Sequence, residues 1–327
     1  MKHFLCILIM HVIGFPQLHA QANDARLAEI KKAAAKVDTA KHWTRGGGIG
    51  IDLSQLALIN PRVGSGENRL GLGGIGTVFA NYKKNRIAWD NVGSLQIAVQ
   101  KQGEDDFQKN LDLVRLGSKI GYALKNPKWL IGAEATLQTQ FLQTYPDNFL
   151  SPQFDSLQSI SKFFSPALIT FAPGIDWKPN EHVSVFFAPI ASQRFLIVAD
   201  DRIASLNLHG NPWNSPTDYK KLRYQLGGSI KGTYNNKYFK DRMTVYSALT
   251  LFSDYLDHPE NIAVLWQNNY GLLIFKNFSI NLLVDAVYDD KIPVQVDRND
   301  NGIYEEGELG KRISLNEALV IKYNYIF

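Results

Sequence analysis

Twelve stretches of this chain alternate apolar and polar residues with a period of two, and their connections alternate between short and long. Few folds satisfy both conditions. A period of two places one greasy face and one polar face on each strand. The stretches read as strands near 46–58, 70–82, 86–101, 109–123, 129–142, 165–177, 182–197, 221–234, 241–254, 261–275, 278–290 and 312–327. The short connections are 83–86, 125–128, 178–181, 235–240 and 276–277, and six longer ones separate them. Short turns at one end and long loops at the other are the pattern of a membrane-spanning barrel. The expected fold class is therefore all-β: a transmembrane antiparallel β-barrel of about twelve strands.

The ends of the sequence fit this expectation. Residues 1–20 read as a secretory signal peptide, with Lys2 before a short apolar core and cleavage near Ala20. Cys6 is the single cysteine and lies in that core, so the mature chain would have no disulfide or thiol chemistry. Residues 21–45 read as a periplasmic leader. Leu27, Ile30, Ala34 and Val37 are spaced for a short amphipathic helix within Asn23 to Lys41. The barrel would occupy 46–327 and finish on the strand Leu319, Ile321, Tyr323, Tyr325, Phe327. The expected location is the outer membrane, with its lipid bilayer as partner. A formal net charge of +4 over 327 residues argues against nucleic acid as a partner.

Aromatic residues cluster beside the short turns: Tyr82, Trp89, Tyr122, Trp129, Trp177, Tyr234, Phe275, Phe278 and Phe327. Trp and Tyr favour the headgroup level, so they predict a girdle at that end. Arg or Lys facing lipid at mid-depth costs about 2–4 kcal/mol. The charged residues of the strands should therefore point inward. The expected lumen lining is Asp52, Asp90, Arg115, Lys119, Glu134, Gln138, Arg223, Lys231, Asp285 and Lys322.

Several strings, in order, resemble a known family: WDN (89–91), LGSKIGY (116–122), TQF (139–141), ISKFFSPA (160–167), GIDWKPN (174–180), FSDYL (252–256) and VYDD (287–290). The chain from about Trp43 to Phe327 is similar to an uncharacterised outer-membrane family of Bacteroidota, catalogued as a domain of unknown function. The resemblance implies an outer-membrane barrel and carries over no catalytic residue.

One motif has ligand spacing. Asp297 to Glu308 fits D-x-[DN]-x-[DN]-G-x5-E, with Asp297, Asn299 and Asn301 as side-chain ligands and Gly302 at the turn. Ile303 would add its carbonyl, Glu305 a water-mediated contact and Glu308 a closing carboxylate. The expected cofactor is Ca2+, in a structural role, because no helices flank the loop. The polar reading of the same residues is an Asn/Gly-rich hairpin loop. His182 and Ser184 share a strand face but lack a recognisable third member, and no catalytic residues are assigned. Glu134 and Asp90 read as members of a charge network with Arg115, Lys119 or Arg223 rather than as an acid–base pair.

Three functions are compatible with this pattern. The first is a narrow passive channel for small polar solutes. The second is a salt-bridged, closed barrel acting as a structural or assembly component, with outer-membrane assembly or transport partners. The third is a lipid-modifying barrel enzyme, for which no residue set is found, so the expected answer is not an enzyme. The calcium reading predicts that chelator lowers the thermal unfolding temperature of the purified protein. It also predicts that Asp297→Ala abolishes that response, and an unchanged transition in both experiments refutes the site.

Overall fold

The computed structural model describes residues 37–38, 42–59, 69–100, 107–290, 294–295 and 309–326. Twelve long strands form one antiparallel sheet that closes on itself. They are β1 (Trp43–Ile59), β2 (Arg69–Lys84), β3 (Ile87–Gln100), β4 (Gln108–Ala123), β5 (Trp129–Thr139) and β6 (Ala167–Trp177). The second half comprises β7 (Val183–Ile197), β8 (Leu222–Tyr238), β9 (Met243–Asp254), β10 (Ile262–Phe275), β11 (Phe278–Tyr288) and β12 (Ser314–Ile326). Each strand pairs with its sequence neighbours. The seam pairs β12 with β1, from Leu315 opposite Ile59 to Ile326 opposite Gly48.

The seam fixes which face is which. Ile49, Ile51 and Leu53 on β1 and Leu319, Ile321, Tyr323 and Tyr325 on β12 are exposed outside. On the other face of β12, Val320, Lys322 and Asn324 are buried. The same alternation runs round the wall, with Leu116, Ile120, Ile131, Leu249, Leu272 and Leu282 outside. An apolar exterior around a polar interior inverts a soluble protein and matches a hydrocarbon solvent.

Short turns hold one end together. Asn85 and Asn277 adopt φ of 52° and 69° in the two tightest turns, a conformation that Asn tolerates. Beside these turns Trp43 packs on Tyr82 and Trp89, Trp129 stacks on Trp177 at 5.9 Å, and Phe275 stacks on Phe278 at 4.6 Å. The expected girdle is present, and Trp43 joins it. Phe327 lies outside the described residues.

Two outward tryptophans carry the same hydrogen-bonded chain. The Trp89 indole N–H donates to Ser118 Oγ at 2.9 Å, Ser118 donates to Asn91 Oδ1 at 2.9 Å, and Asn91 Nδ2 donates to the Ala80 carbonyl at 3.1 Å. At the other end of the wall, Trp266 donates to Ser247 at 3.1 Å, Ser247 to Asn268 at 2.8 Å, and Asn268 to the Val284 carbonyl at 3.3 Å. Both begin with Trp-x-Asn on one strand. Polar groups that face hydrocarbon must be satisfied within the protein, and these chains satisfy them across three strands.

Strand boundaries differ from the expected ones where side chains replace the ladder. β1 starts at Trp43, and Val37–Asp38 pairs with it as a short strand, so the far end of the expected helix is extended. The expected signal peptide, residues 1–20, and residues 23–36 lie outside the described residues. β5 stops at Thr139 because the next amides leave the sheet: Phe141 and Leu142 donate to the Asp112 carboxylate at 2.8 Å each.

Glycines make room for inward rings. A Cβ on Gly174 would lie 2.9 Å from the Phe186 ring and would collide with the Phe187 carbonyl. Gly174→Ala is therefore expected to cost about 1–3 kcal/mol, read from urea unfolding in vesicles. Gly232→Ala, with nothing within 4 Å of the added carbon, should stay within about 0.5 kcal/mol.

Candidate functional site: the charged lumen

The lumen site is built by β3 to β10. Cross-strand register sets Asp90 opposite Lys119 and Lys119 opposite Glu134, so one row of the wall alternates in charge. Two residues along, Val92, Gly117, Thr136 and Thr170 form a smaller row. Beyond it Ser94, Arg115 and Gln138 form a third. Small residues between charged ones leave space. A cavity of about 300 Å3 is bordered by Asp90, Arg115, Lys119, Glu134, Ser184 and Lys231. A second, of about 140 Å3, lies beside it, lined by Gln138, Thr170, Arg194 and Gln267 among others. Arg115, Glu134, Thr136, Phe186 and Lys231 belong to both and mark where they meet.

The charges are positioned by partners. Lys119 Nζ lies 2.8 Å from Asp176 and 4.5 Å from the Phe186 ring centre. Asp176 also receives the Ser184 hydroxyl at 2.6 Å and faces Lys178 at 3.3 Å. The Arg194 guanidinium sits 3.5 Å from the centre of the Phe252 ring. A cation on an aromatic face gains about 0.5–2 kcal/mol and keeps a fixed orientation. Each ring in turn lies over a glycine, Phe186 over Gly174 and Phe252 over Gly227. The arrangement repeats as glycine, ring and cation.

All ten sequence-predicted lining residues are on the inward face. Asp90, Arg115, Lys119, Glu134, Gln138 and Lys231 border the cavities. Asp52 and Lys322 are cross-strand neighbours at the seam, and Lys322 is 2% exposed. Asp285 is buried opposite Gln267 and Asn316. Arg223 is at the loop end, 3.9 Å from Asp257. The expected lining leaves out Asp176, Arg194, Phe186 and the buried amides Gln267 and Asn269. Arg194 lies beyond a register irregularity in both pairings of β7; its two extra residues leave the alternation in phase, but Phe186 and Ala188 on the same inward face mask the polar pattern. Asp176 follows Pro173-Gly174 in an apolar run that obscures the alternation.

Histidine 182 and Ser184 do not act on one another. The His182 ring nitrogen Nδ1 contacts the Asn235 carbonyl at 3.2 Å, whereas Ser184 is committed to Asp176. The calcium-spaced residues Asp297 to Glu308 lie outside the described residues.

Polar satisfaction is incomplete inside the wall. Gln138 Oε1, Asn269 Oδ1, Asn281 Oδ1 and Asn316 Nδ2 are buried without a hydrogen-bond partner among the described residues. Such groups in native proteins are normally met by water.

The long loops form an ordered cap at the other end. Loop 140–166 and loop 198–221 are tied by Lys162–Asp200 at 2.5 Å, by Arg202 donating to the Ser159 carbonyl, and by His209 Nε2 on the Ile160 carbonyl at 2.8 Å. A short helix, α1 (Asp201–Ser205), is capped by Asp200 accepting from Ile203 at 2.9 Å. Ile203, Ala204 and Val198 form its core. Lys109 anchors the cap to the wall through Asp112, Gln140, Thr144 and Ser161.

A family described as a protein of unknown function (DUF3078) matches residues 53–145. No curated protein matches the sequence. Among solved structures, the chain is similar to the translocator domain of the autotransporter NalP from Neisseria meningitidis, at 7% identity over 94% of this chain and 97% of that one, with a TM-score of 0.39. It is also similar to an outer membrane channel from Pseudomonas putida F1, at 11% identity over 86% and 96%, with a TM-score of 0.43. The outer membrane channel DcaP of Acinetobacter baumannii gives 9% identity over 86% and 97%, with a TM-score of 0.36. At these scores the reading of function rests on this chain's own residues.

Burial pushes the His209 imidazole down to about 4, with Lys109 adding to the shift and the Ile160 carbonyl opposing it. A histidine held neutral in the folded state contributes stability in full above its unfolded value of about 6.5. That contribution is lost as pH falls from there towards 4. Protease nicking of loops 140–166 and 198–221 should therefore increase between pH 6.5 and pH 4, and His209→Phe should flatten this dependence.

Proposed function

We propose that this protein is an outer-membrane barrel that passes small polar solutes through a narrow, hydrated lumen. One observation carries the reading: the two adjoining cavities bounded by Asp90, Arg115, Glu134, Arg194 and Lys231 are lined by charge of both signs. A hydrocarbon-facing wall needs no such interior. Charges that merely stabilised a closed core would be disfavoured, because desolvation offsets most of the Coulomb gain. Mixed charge around a wet space instead suits solutes that exchange hydration for transient contacts. The apolar exterior and the aromatic girdle support membrane placement, with the short turns on the periplasmic side.

A second reading has its own support. The Lys119–Asp176–Lys178 cluster and the buried Lys322 resemble the fastening of a closed barrel with a structural or assembly role. Planar-bilayer recording separates the two. Steady conductance steps are expected from the purified barrel, and Thr170→Trp, which puts a large ring into the smaller cavity, should reduce their size. Silence across ionic strengths overturns the channel and leaves the closed barrel.

A further inference from the structure

An apolar groove of about 660 Å3 runs along the outer wall of β2 to β6. Its walls are Val78, Leu116, Leu137 and Ile169, and its floor is kept low by Gly93 and Ala135. Its foot is polar: Asn91 and Ser118 line it and belong to the chain that holds Trp89. The two turns beneath it, 85–86 and 124–128, join β2 to β3 and β4 to β5. They and the adjoining end of β2 carry Lys83, Lys84, Arg86, Lys125 and Lys128, all exposed, and no carboxylate.

The two ends of the barrel differ in how cations are balanced. At the loop end, Lys162 meets Asp200, Lys221 meets Asp201 at 2.7 Å, and Lys311 meets Asp290 at 2.8 Å. At the turn end every one of the five turns or its edge carries Lys or Arg, and exposed carboxylates occur only at Glu181 and Asp241 among the described residues.

We propose that this groove and its cationic foot bind an anionic phospholipid, with an acyl chain along Gly93 and the headgroup phosphate at Lys83, Lys84, Arg86, Lys125 and Lys128. The vertical order of the parts supports this occupant. Apolar groove, polar foot, tryptophan belt and cations follow one another as acyl chain, ester, headgroup region and phosphate do in a leaflet. Trp and Tyr fix the depth at headgroup level. Lys and Arg just beyond it attract anionic lipid, each contributing about fivefold in affinity. The proposal rests on membrane placement and not on conduction through the lumen.

Native mass spectrometry of the full barrel tests it, with phosphatidylglycerol and phosphatidylcholine of identical chains. Preferential retention of phosphatidylglycerol is expected. The variant Lys83→Gln/Lys84→Gln/Arg86→Gln should weaken it by about fivefold per cation, and Gly93→Phe should remove it by filling the groove without altering charge. Lys311→Gln/Arg312→Gln, at the loop end, should leave it unchanged. Equal retention of the two lipids, or equal loss in the loop-end variant, overturns the proposal. So does displacement of phosphatidylglycerol by millimolar inorganic phosphate, which would show a site for phosphate alone. A barrel that enters vesicles of neither composition refutes membrane placement instead.

Discussion

Hydrocarbon offers no hydrogen bonds, so every backbone amide in a lipid-facing wall must find its partner within the wall. The rest of the structure depends on this constraint. It is met only when the last strand returns to the first, through the twelve-residue seam between Leu315–Ile326 and Gly48–Ile59. Closure fixes the direction of every side chain. With Ile51 and Ile321 outside, Asp52 and Lys322 must be inside. The charged lumen is therefore a consequence of the seam and does not need separate specification by each strand.

Inside the wall, the structure has to hold charge without filling the space. The glycine, ring and cation arrangement achieves this twice. Gly174 leaves room for the Phe186 ring, and Lys119 rests on its face while reaching Asp176. Gly227 does the same for Phe252 and Arg194. The cations are thereby drawn to the periphery, and cavities persist between them.

How much of this was legible in the sequence depends on whether a period of two survived. It did for β4, where Arg115 and Lys119 alternate with Leu116 and Ile120, and for β11, where Ser279 and Asn281 alternate with Ile280 and Leu282. It was masked at β7, where Phe186 and Ala188 occupy the inward face before Arg194 and the two extra residues between Ala188 and Ser192 leave the phase unchanged. The Trp-x-Asn chains escaped notice for a different reason. Their serines come from neighbouring strands, so no local pattern contains them, and only register brings Ser118 to Asn91 and Ser247 to Asn268. The cap was equally hidden. Its anchor, Lys109–Asp112, joins two residues that alternation puts on opposite faces, and the register irregularity opposite Ala98 and Val99 brings them into one buried pair.

The two chains begin from opposite ends of the wall and run towards its middle, each with its tryptophan nearer the edge. An indole N–H at an interface usually donates to water or headgroups. Here each donates to a serine, so its orientation is set by the protein and not by the surrounding lipid. Fixed rings at both edges define the thickness of membrane the barrel accepts. Beyond them the ends diverge, since Lys162, Lys221 and Lys311 at the loop end are paired with carboxylates and the cations of the turns beneath the β2–β6 groove have none beside them in sequence. Trp89 and Trp266 mark the depth at the two edges, and the difference between the two sides of the barrel is carried by charge beyond them.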